Sequence, residues 1–224
     1  MVRMYMHSPT NYYQTMKTTR ILLSLVLMAW AIQALADSPL TSCDIHEAYP
    51  ASPMVQQALK YKEMTPTIMN FLADKNRPIG ERAAVVNALG WDIDSTPWSK
   101  IFCEYLCSKV KAKNENDMVK KLDPGTRAVY AYARAMSNYF NVDEAMAIAQ
   151  SAVNDDKTHS FAINMLSALI AAQHYLDGDW GMVYTVVNDV RNDGSLNLDM
   201  KQEAIDIIWD YIKLYEEYAK NTPQ

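Results

Sequence analysis

The sequence predicts an all-α protein built as a stack of helix pairs, and three observations carry that reading. Helix-start chemistry recurs along the chain, as Ser-Pro, Thr-Pro, Asp-Pro or a lone Asp, Asn or Thr ahead of an apolar run. Apolar residues then follow at spacings of three and four, with no sustained two-residue alternation. From Gly125 to Thr222 there is no proline, so nothing in that span forces a helix to break. With 224 residues, 50% hydrophobic and 21% charged, the chain suits one ordinary domain and is too apolar for disorder.

Met1 to Thr15 is polar and aperiodic. Met16-Lys17-Thr18-Thr19-Arg20 then heads an apolar run from Ile21 to Ala36 that closes on Ala34-Leu35-Ala36. A basic head, an apolar stretch and a small-x-small end are the parts of a secretory signal peptide, and the run is short for a membrane span. The expected organisation is an over-called extension at 1–15, a cleaved signal peptide at 16–36, a flexible tail at 37–51 and a single helical-repeat domain at 52–222. The protein is therefore expected to be exported, and periplasmic or secreted. Cleavage after Ala36 removes Arg3, Lys17 and Arg20 and no acid, which moves the formal net charge from −5 to −8. Such a chain lacks the basic footprint that nucleic acid requires and does not suit an anionic membrane surface.

Within the expected domain, Ser52-Pro53 opens a helix carrying Val55 and Leu59, and Thr65-Pro66 the next, with Ile68, Met69 and Leu72. Pro78 opens a third, with Ala83, Val86 and Leu89, and Gly90 ends it. Thr96-Pro97 opens a fourth, with Ile101, Tyr105 and Leu106. Residues 111–121 are strongly charged and read as a solvated turn or a short helix. Asp123-Pro124 opens a long helix to about Phe140, and Asn141 caps one from Val142 to Val153. Thr158 is expected to cap a helix to about Leu176, Asp179 one to about Val190, and Asp199 the last, to about Lys220. Val183 to Val187 would suit a strand by propensity alone.

The pair from Thr126 to Asp156 resembles a tetratricopeptide repeat. The resemblance lies in Ala133 of the first helix, in Val142-Asp143-Glu144-Ala145-Met146 opening the second, and in Ala149 and Ala152. A degenerate second copy spans Ser167 to Val190, where Ala171 matches Ala133 and Gly178-Asp179-Trp180 matches Phe140-Asn141-Val142. The offset between the copies is 38 residues, against a family period of about 34. Val183 also stands where a small residue is expected. The resemblance implies an α–α superhelix whose concave face holds a peptide, with the helix carrying Ile205, Ile208, Trp209, Ile212 and Tyr215 capping the stack.

On that face the resemblance places Arg127, Tyr130, Arg134 and Asn138, spaced three and four apart. Two arginines beside a tyrosine suit a carboxylate or an acidic peptide. A solvated helix face pairing with nearby acids accounts for the same residues. The equivalent face of the second pair (Met165, Ala168, Ala172, Tyr175) is apolar, and is expected to be buried or to make the groove greasy.

Three cysteines remain beyond the leader. Cys103 and Cys107 fall four apart on one helix, with Cβ atoms about 5–6 Å apart, wider than the roughly 3.5–4.5 Å of a disulfide. One of them could instead pair with Cys43, or both could be small buried apolar residues. Leu40-Thr41-Ser42-Cys43 resembles a bacterial lipobox, but Asp37-Ser38-Pro39 separates it from the apolar run, and membrane attachment is expected only if Cys43 is lipidated.

Cys43-Asp44-Ile45-His46-Glu47 is the densest group of metal-ligand types, with no second half-site to close a shell. His174 with Asp177 and Asp179 reads either as an acid–base dyad or as a helix end followed by a cap. Trp91 and Trp98 flank a turn with Asp92 and Asp94, where they could stack on sugar or pin the turn to the core. No phosphate-binding glycine loop, His-Glu-x-x-His or paired CxxC is present, and no cofactor is expected. The sequence thus favours a non-enzymatic binding or scaffold protein with a protein or peptide partner in the cell envelope. An envelope immunity or inhibitor protein that neutralises a toxin or hydrolase is the alternative. A hydrolase with a site dispersed between helices is the second.

Overall fold

Helix boundaries follow the caps. The computed structural model describes residues 38–91 and 98–220. In α1 (Pro53–Tyr61) the Ser52 side chain accepts from the Val55 N–H, and in α2 (Pro66–Leu72) Thr65 accepts from Ile68, each with proline in the first turn. α3 (Ile79–Leu89) follows Pro78 and stops at Gly90, whose φ of 81° lies in the left-handed region that glycine enters without strain. α4 (Trp98–Lys109) is followed by α5 (Glu115–Lys121), capped by Asn114. α6 (Pro124–Ser137) is capped by Asp123, and α7 (Asp143–Asp155) begins just after Asn141 and Val142. α8 (Phe161–Tyr175), α9 (Trp180–Asn192, capped by Asp179) and α10 (Gln202–Ile212) follow. A 3₁₀ turn (Lys213–Tyr215) and α11 (Glu216–Lys220) complete the described chain.

Every regular element among the described residues is helical, so the all-α reading holds; Val183 to Val187 lies inside α9. Residues 1–37 hold the expected extension and signal peptide, and 92–97 hold the Thr96-Pro97 start with Asp92 and Asp94. Both stretches lie outside the described residues.

Three caps differ from expectation. Asn141 does not cap α7, whose N-cap position is Val142 with no side-chain bond to the helix. Ser160, not Thr158, caps α8: its Oγ accepts from the Ile163 N–H, while Thr158 donates its hydroxyl to the Asp156 carboxylate at 2.7 Å. Asp199 does not cap the last long helix, whose N-cap position is Lys201. It reaches back to α8 instead, accepting from Ser160 Oγ at 2.6 Å and from the Ala162 N–H at 2.8 Å. The neighbouring Asn197 joins the same junction, donating its N–H to His159 O and accepting from the Phe161 N–H. A carboxylate at a helix N-terminus meets both the orphan N–H groups and the favourable end of the dipole. The sequence distance between cap and helix hid this one.

The stretch expected as a flexible tail is part of the core. Leu40, Cys43 and Ile45 are completely buried, and Ile45–Ala48 forms one 3₁₀ turn. Asn87 of α3 holds that turn with both ends of its amide. Its Oδ1 accepts from the His46 N–H and lies 2.7 Å from His46 Nδ1. Its Nδ2 donates to Cys43 O at 3.0 Å and to the Tyr132 hydroxyl of α6 at 3.2 Å. Lys201 adds a bond from its Nζ to Ala48 O. From Ser38 onward the chain gathers into one unit.

α6 is the helix the others surround, packing against α3, α4, α7 and α8. Ala128, Ala131, Ala133 and Ala135 keep its profile thin enough for neighbours on every side, and eleven of its residues are buried. α7 packs on α6 and α8, and α9 on α8. Arg82 of α3 is buried beneath α6 and donates to Leu72 O and Thr126 Oγ1. Gly125 makes room for it, because a Cβ there would stand 2.9 Å from Arg82 Nη2. Burial pushes the Arg82 pKa down, against the pull of Asp123 and Asp74.

Two predictions follow from the α8 junction. Asp199→Ala removes an acceptor from two donors of the first turn and should cost about 1–2 kcal/mol in urea unfolding. Asp156 accepts from the Thr158 N–H and hydroxyl and from the Ser160 N–H. Desolvation pushes its carboxyl up, but these bonds outweigh it and hold the pKa below the ordinary carboxylate range. The stability it adds is present at neutral pH and is lost as the pH falls through that range. Asp156→Asn should therefore narrow the gap between unfolding midpoints at about pH 6 and about pH 3; an unchanged gap would exclude Asp156 as a contributor.

Candidate functional site

Four helices, α4 to α7, line an open recess of about 690 Å³. α4 contributes Ser99, Lys100 and Cys103, and α5 contributes Glu115. The C-terminal turn of α6 brings Arg134, Ser137 and Asn138, and the α6–α7 junction brings Asn141, Asp143 and Glu144. The α5 cap sets Glu115 in place: Asn114 accepts from the Asp117 N–H, and the Asp117 carboxylate accepts from the Lys113 N–H.

Glu115 then bonds two residues of α6. Its Oε1 accepts from the Tyr130 hydroxyl at 2.6 Å and from Arg134 Nη1 at 2.8 Å. Arg134 also pairs with Glu144 of α7, so one guanidinium bridges carboxylates from two helices. Burial, then the Glu115 and Cys103 side chains, push the Tyr130 pKa far above its ordinary value, so its hydroxyl stays a donor. Asp143 stands 2.9 Å from His174 Nδ1 at the end of α8. Lys100 has no ion pair among the described residues. The recess is thus polar, nearly balanced in charge, and lined with amides and hydroxyls. Beside it, in the same turn as Asn138 and Asn141, Phe140 is 63% exposed and stacks obliquely on Tyr139, which Trp91 meets edge-on.

The four predicted binding residues divide. Arg134 and Asn138 line the recess. Arg127 is 5% exposed and spends its guanidinium inside the protein, on Ser151 O, Asp155 Oδ2 at 2.6 Å and Leu122 O. Tyr130 has no exposed surface at all and packs against Phe102 of α4. Tyr130 is closed off by Phe102 of α4 and Glu115 of α5, and Arg127 is turned to α7, so neither is open on the face that the resemblance assigned to a groove. The equivalent face of α8 is closed too, with Met165, Ala168 and Ala172 buried.

Cys103 and Cys107 carry free thiols, so the staple from one of them to Cys43 is not formed. Cys43 lies fully buried with its carbonyl on Asn87. The Cys43–Glu47 group gathers no metal site: among the described residues no three His, Cys, Asp or Glu side chains cluster for one. Asp179 caps α9 by accepting from the Met182 N–H, which gives it a structural role, and His174 turns to Asp143, not to Asp177. Trp98 is buried.

Glu115 is the residue that sequence reading missed. The available signal was Asn114 followed three residues on by Asp117, which fixes a helix start. Nothing local ties Glu115 to Tyr130 and Arg134, 15 and 19 residues away. Comparison with known proteins finds no matching family model, no matching curated protein and no matching solved structure.

The different fates of the two arginines are measurable. Arg127→Ala empties a buried position and leaves the Ser151 and Leu122 carbonyls without their donor, although Asp155 itself is exposed, and should destabilise the fold by about 2–3 kcal/mol. Arg134→Ala acts on a partly exposed pair and should cost about 1 kcal/mol or less. Equal costs in thermal or urea unfolding would contradict the division.

Proposed function

We propose that the protein is an exported, non-enzymatic binding protein whose α4–α7 recess holds a segment of a protein partner in the cell envelope. The observation that carries this reading is the convergence of Arg134 and Asn138, which the repeat resemblance selected, on one recess, with Phe140 exposed in the turn between two of its lining residues, Asn138 and Asn141. Amide and hydroxyl groups suit a peptide backbone, and Phe140 offers an apolar anchor of the kind that dominates interfaces. Lys100 offers a charge for a carboxylate on the partner. The packing of α6 on α7, of α7 and α6 on α8, and of α8 on α9 supports a tetratricopeptide-like superhelix for that part of the chain. The groove in this reading is not the usual inner face, which α4 and α5 fill, but its flank.

A photo-crosslinking amino acid at Asn141 should capture one partner in intact cells. The same group at Lys60 on α1 should capture none, and Arg134→Glu should abolish the capture at Asn141. Arg127→Glu is unsuitable as a control, because burying an unpaired carboxylate there would unfold the chain. Equal capture at both positions, or capture indifferent to Arg134→Glu, would remove the recess as the binding site.

A further inference from the structure

We propose that Cys103 and Cys107 of α4 form a two-thiolate site for a soft monovalent cation, with copper(I) the ion whose chemistry it fits. Both thiols are free, and both side chains are half-buried against the core on one side of α4. One helical turn separates the two cysteines within α4, so their side chains share one face of the helix. Cys103 opens onto the recess, which gives an ion its way in.

The helix selects against one kind of bridge and admits another. Residues four apart on a helix hold their Cβ atoms about 5–6 Å apart. A disulfide needs roughly 3.5–4.5 Å, so the pair cannot oxidise to one without breaking helical geometry. A metal ion in line between two sulfurs, with bonds of about 2.3 Å each, spans about 4.6 Å and fits by side-chain rotation alone. The donor set chooses the ion. Zinc takes four ligands, and among the described residues no third His, Cys, Asp or Glu joins the pair. Calcium and magnesium take oxygen. Two thiolates alone satisfy a soft, filled-shell monovalent ion.

Binding converts two neutral thiols and one monovalent cation into a complex of charge −1 and releases two protons. No electron is transferred. Lys100, one turn before Cys103 on α4, opposes the new negative charge, while Arg134 across the recess is already paired with Glu115 and Glu144. Burial, then Cys103, Glu115 and Asp117, push the Cys107 thiol up, so deprotonation comes with the metal and not before it. Cys43 cannot take part, since it is completely buried in the turn held by Asn87. The site needs no peptide in the recess and stands whether or not that reading holds.

The full chain, reduced and kept free of oxygen, is titrated with copper(I) against bicinchoninate. One equivalent should bind, and Cys103→Ser and Cys107→Ser should each weaken it by about 100-fold or more, with helix content unchanged by circular dichroism. Corrected for the chelator, affinity should rise by close to 100-fold per pH unit below the thiol range, as two protons leave. In the wild-type chain, bound copper(I) should protect Cys103 and Cys107 together from alkylation, which tests the site even if a variant misfolds. No binding in competition with the chelator, a one-proton pH slope, binding kept by both single variants, or protection of only one thiol would each overturn the proposal.

Discussion

A helix enclosed on every side must settle each polar group it carries, because water cannot do so. α6 is under that constraint, and the surrounding architecture answers most of it, leaving Arg127 Nε without a partner. Thr126 accepts from Arg82 of α3, and Tyr132 accepts from Asn87 of the same helix. Arg127 finds Ser151 and Asp155 on α7, and Tyr130 and Arg134 find Glu115 on α5. Each bond fixes a neighbour's orientation as well as its own, so the polar groups of one helix set where α3, α5 and α7 sit. The alanines of α6 then let those neighbours approach closely.

The recess is a by-product of the same arrangement. α5 is short, and its cap turns Glu115 toward α6, while α7 starts only after the turn at Asn138–Asn141. Between them the C-terminal end of α6 stays open, and Arg134 stands there with carboxylates on two sides. A guanidinium so held presents a fixed edge to anything entering, at little further cost in side-chain entropy.

Much of the helix pattern was legible in the sequence, because capping is local. Ser52, Thr65, Asp123 and Asp179 each accept from an N–H three residues on, and their helices start where those residues say. Where two cap-type residues compete, as Thr158 and Ser160 do, the choice depends on Asp156 and Asp199 and is a tertiary one. The tail misled for a related reason: Leu40, Cys43, Ile45 and Ala48 are too few and too irregular to show a period, and the turn that carries Ile45 and Ala48 is held by α3 and α10. Half of the candidate site was visible. Helical spacing put Arg127, Tyr130, Arg134 and Asn138 together, but spacing says nothing of what covers a face: α4 and α5 cover Tyr130, and α7 takes up Arg127.

The bond from Lys201 to Ala48 joins residues 153 positions apart. A stack of helix pairs ordinarily folds from neighbour to neighbour, each unit completing itself as it appears. Here the earliest described residues pack beside α10, among the last to be made. A chain synthesised from its N-terminus must hold Leu40 and Ile45 without their final cover until nearly all of it has emerged. Closure of this long loop carries a large entropic cost before any contact repays it, and it delays the final step of folding. The molecule combines quick local assembly in its second half with a late clasp across its ends, and the interval between them is when it is most exposed to aggregation and proteolysis.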